Sequence, residues 1–125
     1  MLRDTSQRRA IRQTFLDAGR PLSPQEVLDA SKDAVPNMGI ATVYRNVKNL
    51  TEEGWLVPVE LPGEPPRYEV SGKEHHHHFS CRVCGGVYEL EGCPGNLSKI
   101  VPTGYKLERH ELVLYGLCNS CNGRK

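Results

Sequence analysis

GIATVYRNVKNLTEEGWLVPV, residues 39–59, contains the transition on which the fold turns. Ile40, Val43, Val47 and Leu50 recur at spacings of three and four, which predicts a helix over 39–53 with one apolar face. Thr42, Arg45 and Asn49 occupy the opposite face, with Lys48 alongside and Tyr44 flanking. Gly54 supplies the C-terminal stop, and WLVPV (55–59) then reads as a strand. LPGEPP (61–66) follows as a turn and RYEV (67–70) as the return strand. Upstream, residues 5–18 carry Ile11 and Phe15 on one helical face and stop at Gly19. SPQE (23–26) is a capping box with proline at the first helical position, and its helix carries Val27 and Leu28 as far as Ser31. Three short helices and a hairpin in this order describe a winged helix-turn-helix.

The chain has 125 residues, enough for one ordinary domain or two small ones. Its 38% hydrophobic content includes only two Phe and one Trp, so a staple such as metal or oligomerisation is expected. All five cysteines and all five histidines lie beyond residue 74. That split divides the chain into modules 1–72 and 73–125 with a short linker near Ser71 to Glu74. The second module reads mainly as strands, over 75–80, 87–91 and 105–115, with a short helix in 93–101. The net charge of +1 is uninformative, but Arg3, Arg8, Arg9 and Arg12 crowd the N-terminus. No apolar run reaches the ~20 residues of a membrane span, and MLRDTSQRR lacks a signal peptide's apolar segment. A cytoplasmic protein is expected, in which paired cysteines mean metal or redox chemistry rather than disulfides.

CRVC (81–84) and CNSC (118–121) supply four thiolates, which suits a tetrahedral Zn²⁺. Four sulfurs leave no open position, so this zinc is expected to be structural. A redox pair needs only one such knuckle. Zinc deaminase chemistry needs H-x-E and P-C-x-x-C segments, whereas here the histidines run HHHHF and Ser80 precedes Cys81.

Just upstream, HHHH (75–78) would alternate between faces on a strand. His75 and His77 then share one face, and His76 and His78 the other, making two metal-binding pairs. Partners for the first pair are His110 and Cys93, the odd thiol. Partners for the second are Glu69, at the end of the hairpin, and Glu89 on the next strand. A metal held by Glu69, His76 and His78 would bridge the modules.

The stretches ATVYR (41–45), YE (68–69), HHHHFSCRVCG (75–85) and RHELVLYGLC (109–118) resemble the ferric uptake regulator family of metal-dependent bacterial repressors. The resemblance spans nearly the whole chain. It implies an α+β protein: a winged-helix DNA-binding domain followed by a small α/β dimerisation domain with a three-stranded antiparallel sheet. It also implies a homodimer that binds a palindromic operator when its regulatory metal is present. By position, Cys81, Cys84, Cys118 and Cys121 match the structural zinc site. Glu69, His76, His78 and Glu89 match the inter-domain regulatory site, and His75, His77 and His110 the site inside the dimerisation domain. Tyr44 and Arg45 match the operator-contacting part of the recognition helix, where Thr42, Lys48 and Asn49 are further DNA candidates, with Arg3 from the N-terminal arm.

Two departures bear on the metal. Iron- and peroxide-sensing members supply a histidine from the first domain, where this chain has Pro21. The dimerisation-domain site ordinarily includes a carboxylate, and Cys93 lies in that neighbourhood. Thiolate with imidazole suits Zn²⁺ better than Fe²⁺ or Mn²⁺, which favours the zinc-sensing branch as the source of the second, regulatory metal. The alternatives are an iron- or manganese-responsive regulator, a peroxide sensor, and a zinc-ribbon module that binds no DNA.

Overall fold

The computed structural model describes residues 5–73, 76–93, 95 and 97–123. The chain divides into two compact units, Met1–Lys73 and Glu74–Lys125. Among the described residues no helix is long and apolar enough to cross a membrane.

The first unit opens with α1, Ser6–Ala18. Thr5 caps it, its hydroxyl accepting from the Arg8 N–H at 3.1 Å. Gly19 ends it in the left-handed conformation at φ 61°, donating to the Phe15 carbonyl. Thr5→Ala is expected to lower the stability of this unit by about 1 kcal/mol, read from denaturant midpoints at unchanged m-value.

α2, Pro24–Ser31, starts on a complete capping box. The Ser23 hydroxyl accepts from the Glu26 N–H at 3.1 Å, and the Glu26 carboxylate accepts from the Ser23 N–H at 2.9 Å. α3, Ile40–Glu52, buries Val43, Val47 and Leu50. Ile40 does not join them. It is 37% exposed, three residues ahead of the fully buried Val43. The three helices close on a core that includes Ile11, Phe15, Leu22, Val27, Met38 and Leu56. Phe15 meets Trp55 edge-on, with centroids 6.4 Å apart.

β1, Leu56–Val59, and β2, Arg67–Val70, form an antiparallel hairpin with Leu56 opposite Val70. Leu22 adds an isolated bridge to its outer edge, exchanging two backbone hydrogen bonds of 2.8 and 2.9 Å with Tyr68. Glu26 ties the same edge down electrostatically, facing Arg20 at 3.2 Å and Arg67 at 3.8 Å.

In the second unit β3 is His77–Cys81, β4 Val87–Leu90 and β5 Val113–Gly116, in sheet order β4-β3-β5. β3 and β4 are antiparallel, but β3 and β5 are parallel, so the all-antiparallel expectation is corrected. The reason is where the connection over 91–112 delivers the chain: β4 ends beside the start of β3, and β5 starts there too, so it runs in the same direction as β3. The third strand is also shorter than the expected 105–115. β3 offers only five residues of edge, and residues 113–116 take it, with His78 opposite Val113 and Cys81 opposite Gly116. The expected helix in 93–101 is reduced to one 3₁₀ turn, Leu97–Ile100. Gly92 and Gly95 before it have φ of 88° and 96°, outside the helical range.

The units differ sharply in what is buried. The nine-residue apolar cluster lies wholly in the first. Among the described residues of the second, the buried apolar side chains are Val87 and the thiols of Cys81 and Cys121. Hydrophobic burial alone would hold that sheet weakly.

Candidate metal centres

Parallel pairing puts the C-terminal ends of β3 and β5 side by side. Each strand runs directly into a C-x-x-C turn, so both knuckles emerge at the same end of the sheet. The first turns tightly: the Gly85 N–H donates to the Cys81 carbonyl and the Cys81 N–H to the Gly86 carbonyl, both at 3.0 Å. Gly85 has φ 74°, a conformation that costs glycine nothing. The Gly86 N–H points at the Cys84 sulfur, 3.4 Å away. In the second knuckle the N–H groups of Cys121 and Asn122 converge on the Cys118 carbonyl.

The sulfurs of Cys81, Cys84, Cys118 and Cys121 all lie within 4.8 Å of one another, and all four thiols are free. Cys84 and Cys118 are 3.8 Å apart. A tetrahedron of sulfurs about 2.3 Å from a Zn²⁺ has an edge of about 3.8 Å, whereas a disulfide would need about 2.0 Å. The donor set and its spacing fit zinc.

The four thiols hold their protons unequally. Cys81 is lowered to about 6 because the backbone N–H groups of Cys84, Cys118 and Val83 stabilise its thiolate. Burial pushes Cys118 up, but the N–H and side chain of Cys121 and the Tyr88 hydroxyl outweigh it, leaving it below its ordinary value. Burial, then the neighbouring thiols, push Cys121 up to about 12. Cation binding at neutral pH must therefore expel the Cys121 proton, and below about pH 6 it must expel one from Cys81 as well. Protons compete with metal, so zinc retention is expected to weaken as pH falls and to weaken more steeply below about 6. Chelator competition from pH 8 to pH 5 measures that slope.

A second cluster forms on one side of β3. His77 is 1% exposed, and its Nε2 lies 3.4 Å from the Cys93 sulfur. That sulfur is 3.2 Å from the His110 Nε2, and the two rings are 5.0 Å apart. Nitrogen and sulfur ligands on one tetrahedral metal would be separated by about 3.5 Å, so these donors fit a soft divalent cation. β3 supplies His77, the turn after β4 supplies Cys93, and the segment entering β5 supplies His110. His75, expected in the same set, lies outside the described residues.

The rings of His76 and His78 approach each other edge-on at 4.8 Å. Glu89 is the cross-strand partner of His78 in the β3–β4 register, and such pairs share a face of the sheet. Glu69 lies in the first unit on β2, buried at 3% exposure, with Lys73 Nζ 3.8 Å from its carboxylate.

Of the DNA-contact candidates on α3, Tyr44, Arg45 and Lys48 are exposed. Arg45 donates to the Thr42 hydroxyl at 3.3 Å. Asn49 is half-buried, and its carbonyl takes the Glu53 N–H at the helix end. Arg3 lies outside the described residues. Arg8 is committed elsewhere: it is 6% exposed and ion-paired with Glu53 at the C-cap of α3. Pro21, which the resemblance aligns with a histidine of iron- and peroxide-sensing members, is fully buried. Sequence reasoning missed Tyr88, whose hydroxyl lies 3.7 Å from the Cys84 sulfur.

The model of the ferric uptake regulator family matches residues 1–115. The ferric uptake regulation protein of Campylobacter upsaliensis is 33% identical over 126 residues, covering 97% of this chain and 81% of that protein. Among solved structures, a zinc-bound manganese uptake regulator is similar with TM-score 0.83 and 30% identity, covering 94% of this chain and 91% of the other. A zinc uptake regulator from M. tuberculosis is similar with TM-score 0.50 and 26% identity, covering 93% and 92%. Fold, donor clusters and these likenesses define a metal-responsive transcription regulator rather than an enzyme. The chain belongs to the ferric uptake regulator family.

Proposed function

We propose that this chain is a zinc-sensing transcriptional repressor that binds a palindromic operator as a homodimer. The observation that carries zinc is the Cys93 sulfur, lying between His77 Nε2 and His110 Nε2. A thiolate with two imidazoles selects Zn²⁺ over Fe²⁺ and Mn²⁺, which lean on carboxylate oxygen. In this reading Cys81, Cys84, Cys118 and Cys121 hold a structural Zn²⁺, and His75, His77, Cys93 and His110 hold a second ion. Glu69, His76, His78 and Glu89 make up a third donor set in this reading. Its two carboxylates are harder donors, and they support the second reading, an iron- or manganese-responsive regulator.

Residues 1–72 act as the winged-helix DNA-binding domain and 73–125 as the dimerisation domain. Exposure of Tyr44, Arg45 and Lys48 along α3 supports major-groove contact, with Thr42 and Asn49 beside them and Arg3 reaching from the arm. Dimerisation is supported by large apolar side chains left exposed in the single chain: Ile100 at 80%, Tyr105 at 72%, Tyr115 at 60% and Leu114 at 45%. The regulatory metal binds the DNA-competent arrangement more tightly and shifts the population toward it. Moving from mostly inactive to mostly active takes about 5 kcal/mol of differential binding.

The experiment is a mobility shift of metal-loaded wild type and Arg45→Ala on a palindromic A/T-rich duplex. Wild type should bind, and Arg45→Ala should lose about 1–3 kcal/mol of affinity. A metal-loaded wild type that shifts no duplex would leave only a zinc-ribbon module.

A further inference from the structure

The cysteine quartet has a protected edge and an open one. Cys81 and Cys121 are buried, whereas Cys84 is exposed and Cys118 half-exposed. The open pair is the 3.8 Å Cys84–Cys118 edge. It borders a cavity of about 360 Å³ lined by Phe79, Tyr88, Leu117 and Cys118, among others. A chelator or thiol-reactive electrophile reaching the quartet therefore arrives at this edge.

Tyr88 stands there. Its hydroxyl is 3.7 Å from the Cys84 sulfur. β4 fixes the ring, with Tyr88 opposite Phe79 in the register. The chain makes room for it: a Cβ on Gly86 would sit 2.7 Å from the Tyr88 hydroxyl oxygen and 3.0 Å from the ring carbon bearing it. Gly86 has no positive φ, so the backbone itself would accept alanine. Clearance for the tyrosine is what glycine provides.

We infer that Tyr88 is the positioning residue of the open edge, its hydroxyl donating to the Cys84 thiolate and controlling how fast the quartet gives up its metal. The inference rests on the reading of the quartet as a zinc site. A donor hydrogen bond withdraws electron density from a thiolate, lowering its nucleophilicity, and the ring covers the approach through the cavity. Removing a hydrogen bond to a charged acceptor commonly changes an equilibrium or rate by about tenfold or more.

The test uses the full chain loaded with Co²⁺ or Zn²⁺, as wild type, Tyr88→Phe and Gly86→Ala. Tyr88→Phe keeps the ring and loses the donor; Gly86→Ala keeps the donor and displaces it. In Tyr88→Phe the sulfur-to-cobalt charge-transfer band should move to longer wavelength, and zinc release by a thiol-reactive electrophile, read with a chromogenic zinc indicator, should accelerate about tenfold. Gly86→Ala should change both in the same direction by less. A folded Tyr88→Phe protein with unchanged band and unchanged rate overturns the inference. Where Tyr88→Phe does not fold, Gly86→Ala decides by the same two readouts. A wild type without a charge-transfer band on Co²⁺ loading would refute the zinc reading of the quartet itself, a result separable from a failure of the tyrosine alone.

Discussion

Cys121→Ser is expected to lose the quartet's zinc and, with it, the folded sheet of residues 77–116, the largest effect of any single substitution. A structural zinc in a small domain contributes about 10–16 kcal/mol at neutral pH. The second unit has little to set against that loss. Fully burying one aliphatic side chain is worth about 1.5–3 kcal/mol, and among its described residues Val87 is the one buried aliphatic. Metal content by mass spectrometry and near-UV circular dichroism read the two consequences together. A Cys121→Ser protein that keeps the zinc of wild type and melts cooperatively at the same temperature would mean the quartet is not structural.

Cys93→Ala comes second. Cys93 is exposed, so its loss should spare the fold and the quartet zinc while removing the metal held with His77 and His110. Loss of an outer hydrogen-bond partner already costs a metal site about 10–100-fold in affinity, and loss of a ligand costs at least that. Zinc per chain should fall by one equivalent at chelator concentrations that leave the quartet loaded. Unchanged stoichiometry would remove Cys93 from the site and the strongest argument for zinc with it.

What the sequence disclosed followed from short-range rules. The Ser23–Glu26 capping box, the helical spacing of Val43, Val47 and Leu50, and the doubled C-x-x-C each depend on a few neighbouring residues. Alternation along β3 also needs no tertiary knowledge, and it separates His77 from the edge-on pair His76 and His78. What stayed hidden was set by long-range packing. The strand direction of β5 depends on the end of β3 at which the 91–112 segment delivers the chain, and no local signal encodes that choice. The Leu22–Tyr68 bridge joins the strand around Tyr68 to a distant position, Leu22, that has no strand signal around it. The crowding of Arg8 with Arg3, Arg9 and Arg12 gave no sign of its partner, Glu53, which lies 45 residues away. Tyr88 sits on an ordinary strand, and only the knuckle folding back over β4 brings its hydroxyl to a sulfur.

In the proposed function, a metal other than the quartet zinc switches DNA affinity. The direct measurement is fluorescence anisotropy of a labelled palindromic operator, titrated with protein that retains only its quartet zinc, with and without added Zn²⁺. Wild type is expected to gain at least about 100-fold in affinity on zinc addition, and His77→Ala or Glu69→Ala to lose most of that gain. Equal affinity of the wild type in the two conditions would rule out a metal switch.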